Sequence, residues 1–233
     1  MYIGKKKMGK TILITGGNKG IGLQLTKEFL ALDYKVIIIA RDFLDFEFVD
    51  SVRCINYDLT DIDEIPKLIA SLGQIDILIN NAGVMYSLPY DNYPQEKIDT
   101  MLKLNIEAPI KLIEACVKAG TTRIVNNASI AGQIGHPDVW YGVSKAGLIN
   151  ATKSFAKIFE GKIVINAVAP SPVETDMLKS IPIARQEDFL KTVVSKRFAY
   201  AAEVAKTILW LATESPEYIN GTTIDINNGS YMR

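Results

Sequence analysis

The chain has 233 residues, 48% of them hydrophobic and 22% charged, enough for one α/β domain to bury a core without disulfides or a structural metal. Lysine plus arginine equals aspartate plus glutamate at 26 each, which excludes a dedicated nucleic-acid or membrane-surface protein. The one local excess, Lys5, Lys6, Lys7 and Lys10, reads as a solvated N-terminal arm. Cys54 and Cys116 lie far apart in apolar stretches and read as buried free thiols, which suits a reducing compartment. No apolar run reaches the length of a signal-peptide core or a membrane span, so a soluble, cytoplasmic chain is expected.

Seven short runs rich in Ile and Val predict strands, at Thr11–Thr15, Val36–Ala40, Val52–Asn56, Ile75–Asn80, Arg123–Asn127, Ile163–Val168 and Thr222–Ile226. Stretches with helical spacing, such as Leu23–Leu32, Ile98–Lys118 and Val139–Phe159, lie between them. The alternation predicts a doubly wound α/β fold: a seven-stranded, mostly parallel sheet with helices on both faces, in one domain over residues 1–233. Only 11 residues, Arg41–Ser51, join the second and third strands, fewer than a parallel crossover normally needs. That crossover is expected to hold one helical turn or none, with Phe43, Leu44, Phe46 and Phe48 covering the sheet instead.

The first strand runs into Thr15-Gly16-Gly17-Asn18-Lys19-Gly20-Ile21-Gly22 and then a helix. Glycines allow positive φ and close backbone approach, and free N–H groups at a helix start favour a pyrophosphate. A tight strand-to-helix turn alone would call for the same residues; the position in the first βα unit favours the dinucleotide reading. Further on, Tyr141 and Lys145 stand four apart and share a helix face. A phenol is a poor acid or base at neutral pH, and an adjacent ammonium lowers its pKa. Taken alone, the pair reads better as an ordinary surface contact. Ser129, 12 residues before Tyr141, follows the fifth strand, where a hydroxyl either orients a substrate carbonyl or serves a turn. The lone histidine, His136, lies between them and reads as a solvent-facing loop residue; no metal site is expected.

Together these segments resemble the short-chain dehydrogenase/reductases. The phosphate loop has that family's Thr-Gly-x-x-x-Gly-x-Gly spacing, Asn80-Asn81-Ala82-Gly83 is similar to its second signature, and Tyr141-Gly142-Val143-Ser144-Lys145 to its Tyr-x-x-x-Lys. The three occur in the family's order, and the resemblance runs from about residue 9 to the C-terminus. It implies a Rossmann-type fold and an oxidoreductase that moves a hydride between a nicotinamide and a carbonyl or alcohol. Tyr141 would be the general acid/base. Lys145 would hold the nicotinamide ribose, Ser129 would orient the substrate, and the backbone carbonyl of Asn105 would hold a water in a proton relay. Gly16, Asn18, Lys19, Gly20, Ile21 and Gly22 would line the cofactor, with Asn81, Ala82 and Gly83. Asp58 and Leu59 would meet the adenine, although Asp58 equally suits a helix cap. After the sixth strand, Pro170, Ser171, Val173 and Thr175 would lie along the nicotinamide, with Ser171 where the family usually has glycine.

A carboxylate at the end of the second strand selects NAD(H), and an arginine there accommodates the 2′-phosphate of NADP(H). That position falls on Ala40, followed by Arg41, and Lys19 adds a second cation. NADP(H) is therefore the expected cofactor; Asp42 is the residue that would restore NAD(H). Residues 176–199 would cover the substrate, either as a mobile lid or as a packed surface helix. Within the family, Glu174-Thr175-Asp176-Met177, Ala202-Glu203-Val204-Ala205 and Asn227-Asn228-Gly229-Ser230-Tyr231-Met232 are most similar to bacterial 3-oxoacyl-acyl-carrier-protein reductases. That subgroup implies an acyl-carrier-protein thioester as substrate, basic residues such as Lys196 and Arg197 near the mouth, and a homotetramer. An NAD(P)-dependent alcohol or sugar dehydrogenase is the alternative enzyme. A non-catalytic dinucleotide sensor is the alternative from another class, disfavoured by an intact Ser129, Tyr141 and Lys145.

Overall fold

The computed structural model describes residues 9–232, so Lys5, Lys6 and Lys7 of the expected basic arm lie outside the described residues. Seven parallel strands form one sheet in the order β3-β2-β1-β4-β5-β6-β7. They are β1 (Thr11–Thr15), β2 (Lys35–Ala40), β3 (Arg53–Asn56), β4 (Ile77–Asn80), β5 (Arg123–Asn127), β6 (Val164–Pro170) and β7 (Thr223–Ile226). The order reverses between β1 and β4, and the crevice beyond the carboxyl ends at such a switch point is where doubly wound sheets bind ligands.

Alternation along the strands explains the two layers. Ile12 and Ile14 of β1 face one side, with Val36, Ile38 and Ile79, against Leu25 and Phe29 of α1 (Gly20–Ala31) and Val204, Ile208 and Leu211 of α7 (Ala201–Thr213). Leu13, Ile37, Ile39 and Leu78 face the other, against Ile65 and Ile69 of α2 (Ile65–Leu72) and Leu112, Ile113 and Cys116 of α4 (Ala108–Lys118). Strands buried on both faces read as continuous apolar runs, which is why they were legible from composition alone.

Residues 41–52 between β2 and β3 hold no helix, as the short crossover requires. Phe46 is buried there, with ring centroids 5.7 Å from Phe43 and 5.9 Å from Phe48, and all three pack on the α1–α7 side of the sheet. Leu44 is the exception to the expected cover: it is 76% exposed. The long helix expected over Ile98–Lys118 is also broken. α3 (Gln95–Leu102) passes through a π-helical turn, Lys103–Glu107, before α4. Pro109 has no N–H for the carbonyl of Asn105 four residues earlier, which favours a looser turn there. The remaining helices are α5 (Val139–Ile158) and α6 (Ile183–Thr192). Among the described residues, no helix is long and apolar enough to cross a membrane.

Candidate active site

The β1–α1 turn is shaped by close approach. Gly16 has φ +63°, and a Cβ on Gly22 would lie 2.0 Å from the Gly16 carbonyl oxygen, so only glycine lets α1 start against the turn. The Thr15 hydroxyl accepts the N–H groups of Asn81 and Ala82, both at 2.9 Å, and the Asn81 amide donates to the carbonyls of Thr15 (3.0 Å) and Gly16 (3.2 Å). Asn81 therefore fastens the end of β4 to the phosphate loop. The N-terminus of α1 carries no side-chain cap and no acidic residue in its first turn, which leaves its N–H groups and positive dipole end for an anion. Thr175, beyond β6, closes the loop from above, with its methyl 3.2 Å from where a Cβ on Gly20 would stand.

At the carboxyl ends of β4 and β5 the reaction-centre candidates converge. Tyr141 and Lys145 lie on one face of α5; both are buried, and Lys145 Nζ sits 5.8 Å from the Tyr141 ring centroid. The Lys145 ammonium donates to the Asn127 carbonyl at 2.9 Å and has no carboxylate partner among the described residues. Gly83 leaves it room: a Cβ there would stand 3.4 Å from Nζ. Burial pulls the Lys145 pKa down to about 8. Burial likewise pushes the Tyr141 phenol up to about 12; its hydrogen bond with Ser129 opposes that rise, and the charge of Asp138 adds to it. Desolvation is the largest influence on the phenol, and Tyr141 is neutral at pH 7.

Ser129 opens a short 3₁₀ turn, Ile130–Gly132; its hydroxyl accepts from the Ala131 N–H at 3.1 Å and lies 3.4 Å from the Pro170 carbonyl. Asn105 is fully buried in the π turn. Its side chain pairs with both the N–H and the carbonyl of Val84 at 2.9 Å and donates to Ser144 Oγ at 3.0 Å. His136 departs from expectation: it is partly buried, its ring centroid lies 5.5 Å from that of Tyr141, and burial lowers its pKa.

The sequence agrees with this geometry independently. A family profile described as short chain dehydrogenase matches residues 10–186. The chain belongs to that family. It is an oxidoreductase of the kind that interconverts carbonyl and alcohol groups with a nicotinamide cofactor. Among its relatives, the 3-oxoacyl-[acyl-carrier-protein] reductase FabG of Thermotoga maritima is 33% identical, over 95% of this chain and 97% of its own length. The same-named enzyme of Escherichia coli is 30% identical, over 96% and 98%. Among solved structures, ElxO with NADP bound superposes with a TM-score of 0.86 at 30% identity, covering 96% of this chain and 99% of its own.

Other residues expected at the short-chain dehydrogenase site fall in several places. Arg41 is exposed just beyond β2. Asp42 is ion-paired with Lys19 at 3.5 Å, and its backbone carbonyl accepts from the Asn18 amide at 2.8 Å, so Asn18, Lys19 and Asp42 form one cluster. The side chain of Asp58 accepts from the N–H and hydroxyl of Thr60, both at 2.9 Å, capping a turn rather than α2, and Leu59 is buried in the core beside that helix. Pro170 ends β6, and Ser171 donates its N–H to the Ile226 carbonyl at 3.0 Å. Ser171 is absent from the positive-φ residues, so serine replaces the usual glycine without backbone strain. Val173 is buried and bridges Ala199, which pins the base of segment 176–199. Within that segment no residue of α6 is fully buried, Met177 is 39% exposed and Ile183 is 74% exposed. Lys196 and Arg197, expected near the mouth, are already engaged: Arg197 holds Glu203 with two bonds at 2.7 and 2.8 Å, and Lys196 donates to the Lys191 carbonyl at 2.7 Å.

Sequence reasoning missed Thr15, Asn127 and Asp138. Thr15 is visible as the first residue of the phosphate-loop pattern but its brace to Asn81 and Ala82 is not, and Asn127 acts through its carbonyl on Lys145 of α5, which no local pattern announces. Asp138 stands at the N-cap of α5, and an Asp directly before the apolar Val139 is a legible cap signal.

Proposed function

We propose that the chain is an NADP(H)-dependent carbonyl reductase in which Tyr141 is the general acid. One observation carries this reading: a buried Tyr141 stands beside a buried Lys145, and Lys145 is tied through Asn127 and Asn81 to the β1–α1 turn, where the start of α1 is uncapped. When bound, the nicotinamide cofactor supplies the hydride in reduction or accepts it in oxidation. The N–H groups from Gly20 to Gly22 would hold its pyrophosphate, and Lys145, with donors beyond the one given to Asn127, would hold its ribose. Ser129 would orient the substrate oxygen. Tyr141 would give its proton to that oxygen as the alcohol forms and would recover one through Lys145 and a water at the Asn105 carbonyl, from which Pro109 withholds a helical donor.

NADP(H) is favoured over NAD(H) by the balance of charge at the end of β2, where Arg41 and Lys19 outnumber Asp42 and the carboxylate already faces Lys19. The NADP bound to ElxO agrees with it. For the substrate, the relatives favour a 3-oxoacyl thioester, whereas the pairing of Arg197 with Glu203 removes one expected docking cation for an acidic carrier. A homotetramer would use the exposed Val143 and Ile158 of α5, and light scattering would test it. The function is tested by following NADPH oxidation against a β-ketoacyl thioester, a quinone, a small diketone and a keto sugar. Turnover of at least one is expected; NADH preferred over NADPH would overturn the cofactor assignment.

A further inference from the structure

Asp138 is fully buried and is the only carboxylate among the buried described residues. One oxygen, Oδ1, accepts the Tyr141 N–H at 3.1 Å and so caps α5. The other, Oδ2, accepts the Ser87 N–H at 2.9 Å and the Tyr93 hydroxyl at 3.1 Å. No lysine or arginine pairs with it among the described residues. An uncompensated buried carboxylate is costly unless its lone pairs are filled, and here three donors from two segments, the β4–α3 connection and the first turn of α5, fill them.

Those segments matter. Ser87 sits in the left-handed region at φ +54°, a conformation a serine keeps only when its surroundings hold it. Tyr93, just ahead of α3, packs with Met85, Tyr86, Trp140 and Ile181 in the apolar cluster that also contains Tyr141. This wall packs directly against Tyr141. We propose that Asp138 is a positioning residue: it locks the Ser87–Tyr93 wall to the first turn of α5 and thereby sets where the Tyr141 hydroxyl meets the substrate. The inference rests on Tyr141 being the acid/base. Its charge has a second consequence. The Asp138 charge, one turn from Tyr141, favours the protonated phenol and so raises the pH at which the deprotonated form needed for alcohol oxidation appears. The other ionisable groups around Tyr141 are Lys145 on α5, His136 on the preceding loop, Tyr93 ahead of α3, Tyr86 with Lys97 4.9 Å above its ring, and Arg185 of α6, which acts on His136.

Two variants separate these effects. Asp138→Asn keeps an oxygen for the Tyr141 N–H but turns an NH₂ toward the Ser87 N–H and removes the charge. Tyr93→Phe removes one hydroxyl and keeps the charge. With a β-ketoacyl thioester, both are expected to lower kcat by about tenfold or more while the KM for NADPH is unchanged. In the reverse, alcohol-oxidising direction, Asp138→Asn is expected to move the rising limb of the pH profile to lower pH by roughly half a unit or more, and Tyr93→Phe is expected to leave it in place. Amide hydrogen exchange gives a check without substrate: Ser87 is expected to exchange faster in both variants. Wild-type kcat and pH profile in Asp138→Asn would overturn the proposal, as would equal losses of NADPH affinity and activity with an unmoved profile. Should Asp138→Asn fail to fold, Tyr93→Phe decides: unchanged kcat and unchanged Ser87 exchange overturn it. A fully active Tyr141→Phe would instead overturn the underlying reading.

Discussion

Lys145→Met is expected to stabilise the cofactor-free protein while destroying its activity. The ammonium is buried, and its pKa falls from 10.5 to about 8 through desolvation. At about 1.4 kcal/mol per pH unit, carrying that charge in the fold at pH 7 costs about 3 kcal/mol. Methionine has similar length and no charge, but it leaves the Asn127 carbonyl without its 2.9 Å donor, which returns about 1–2 kcal/mol. The net gain is about 1–2 kcal/mol, or ~2–8 °C in Tm for a domain of this size. The pH dependence gives the sharper signature. Between pH 8 and 10.5 the unfolded chain holds the Lys145 proton and the folded chain does not, so the wild-type protein gains stability as pH rises through that window. The variant lacks this gain, and the two melting curves should converge toward pH 10. Scanning calorimetry of both cofactor-free proteins at pH 7 and pH 10 measures it. A variant less stable at pH 7, or a difference that does not change with pH, would refute the reasoning.

Arg41→Ala is expected to weaken NADPH binding by about 10- to 100-fold, the worth of a charge-assisted bond to phosphate, while NADH binding is nearly unchanged; fluorescence titration of both cofactors checks it. Asp42→Asn should move the preference the other way, because it frees Lys19 from its 3.5 Å ion pair, and a rise in NADH affinity alone would contradict that. Gly22→Ala places a methyl 2.0 Å from the Gly16 oxygen and 2.7 Å from the Asn81 amide; at least ~2 kcal/mol of stability and most NADPH affinity should be lost, as read by thermal melting with and without cofactor.

Much of this is legible in the sequence. The inner strands announced themselves because they are buried on both faces, whereas the edge strands β3 and β7 are only partly covered; the missing helix after β2 followed from counting residues. What sequence reasoning placed less well depends on contacts made at a distance. The break at Asn105 needed the pairing of its side chain with Val84 and Ser144, although Pro109 hinted at it. β4 begins at Ile77 rather than Ile75, since Asp76 turns its carboxylate to the Thr11 N–H at 2.8 Å instead of extending the strand. Spacing alone does not carry the burial of Tyr141 and Lys145, which pushes the phenol's pKa up and the ammonium's down. His136 reads as a solvent-facing loop residue because no cysteine or carboxylate cluster accompanies it, and the first turn of α5 brings its ring to Tyr141.

The central claim is that Tyr141 moves the proton. Tyr141→Phe keeps the ring in its apolar cluster and removes only the hydroxyl. NADPH affinity should stay at the wild-type value while kcat for carbonyl reduction falls by about 10²–10⁴-fold, the usual contribution of a positioned acid. A Tyr141→Phe enzyme that turns over at the wild-type rate would contradict the account.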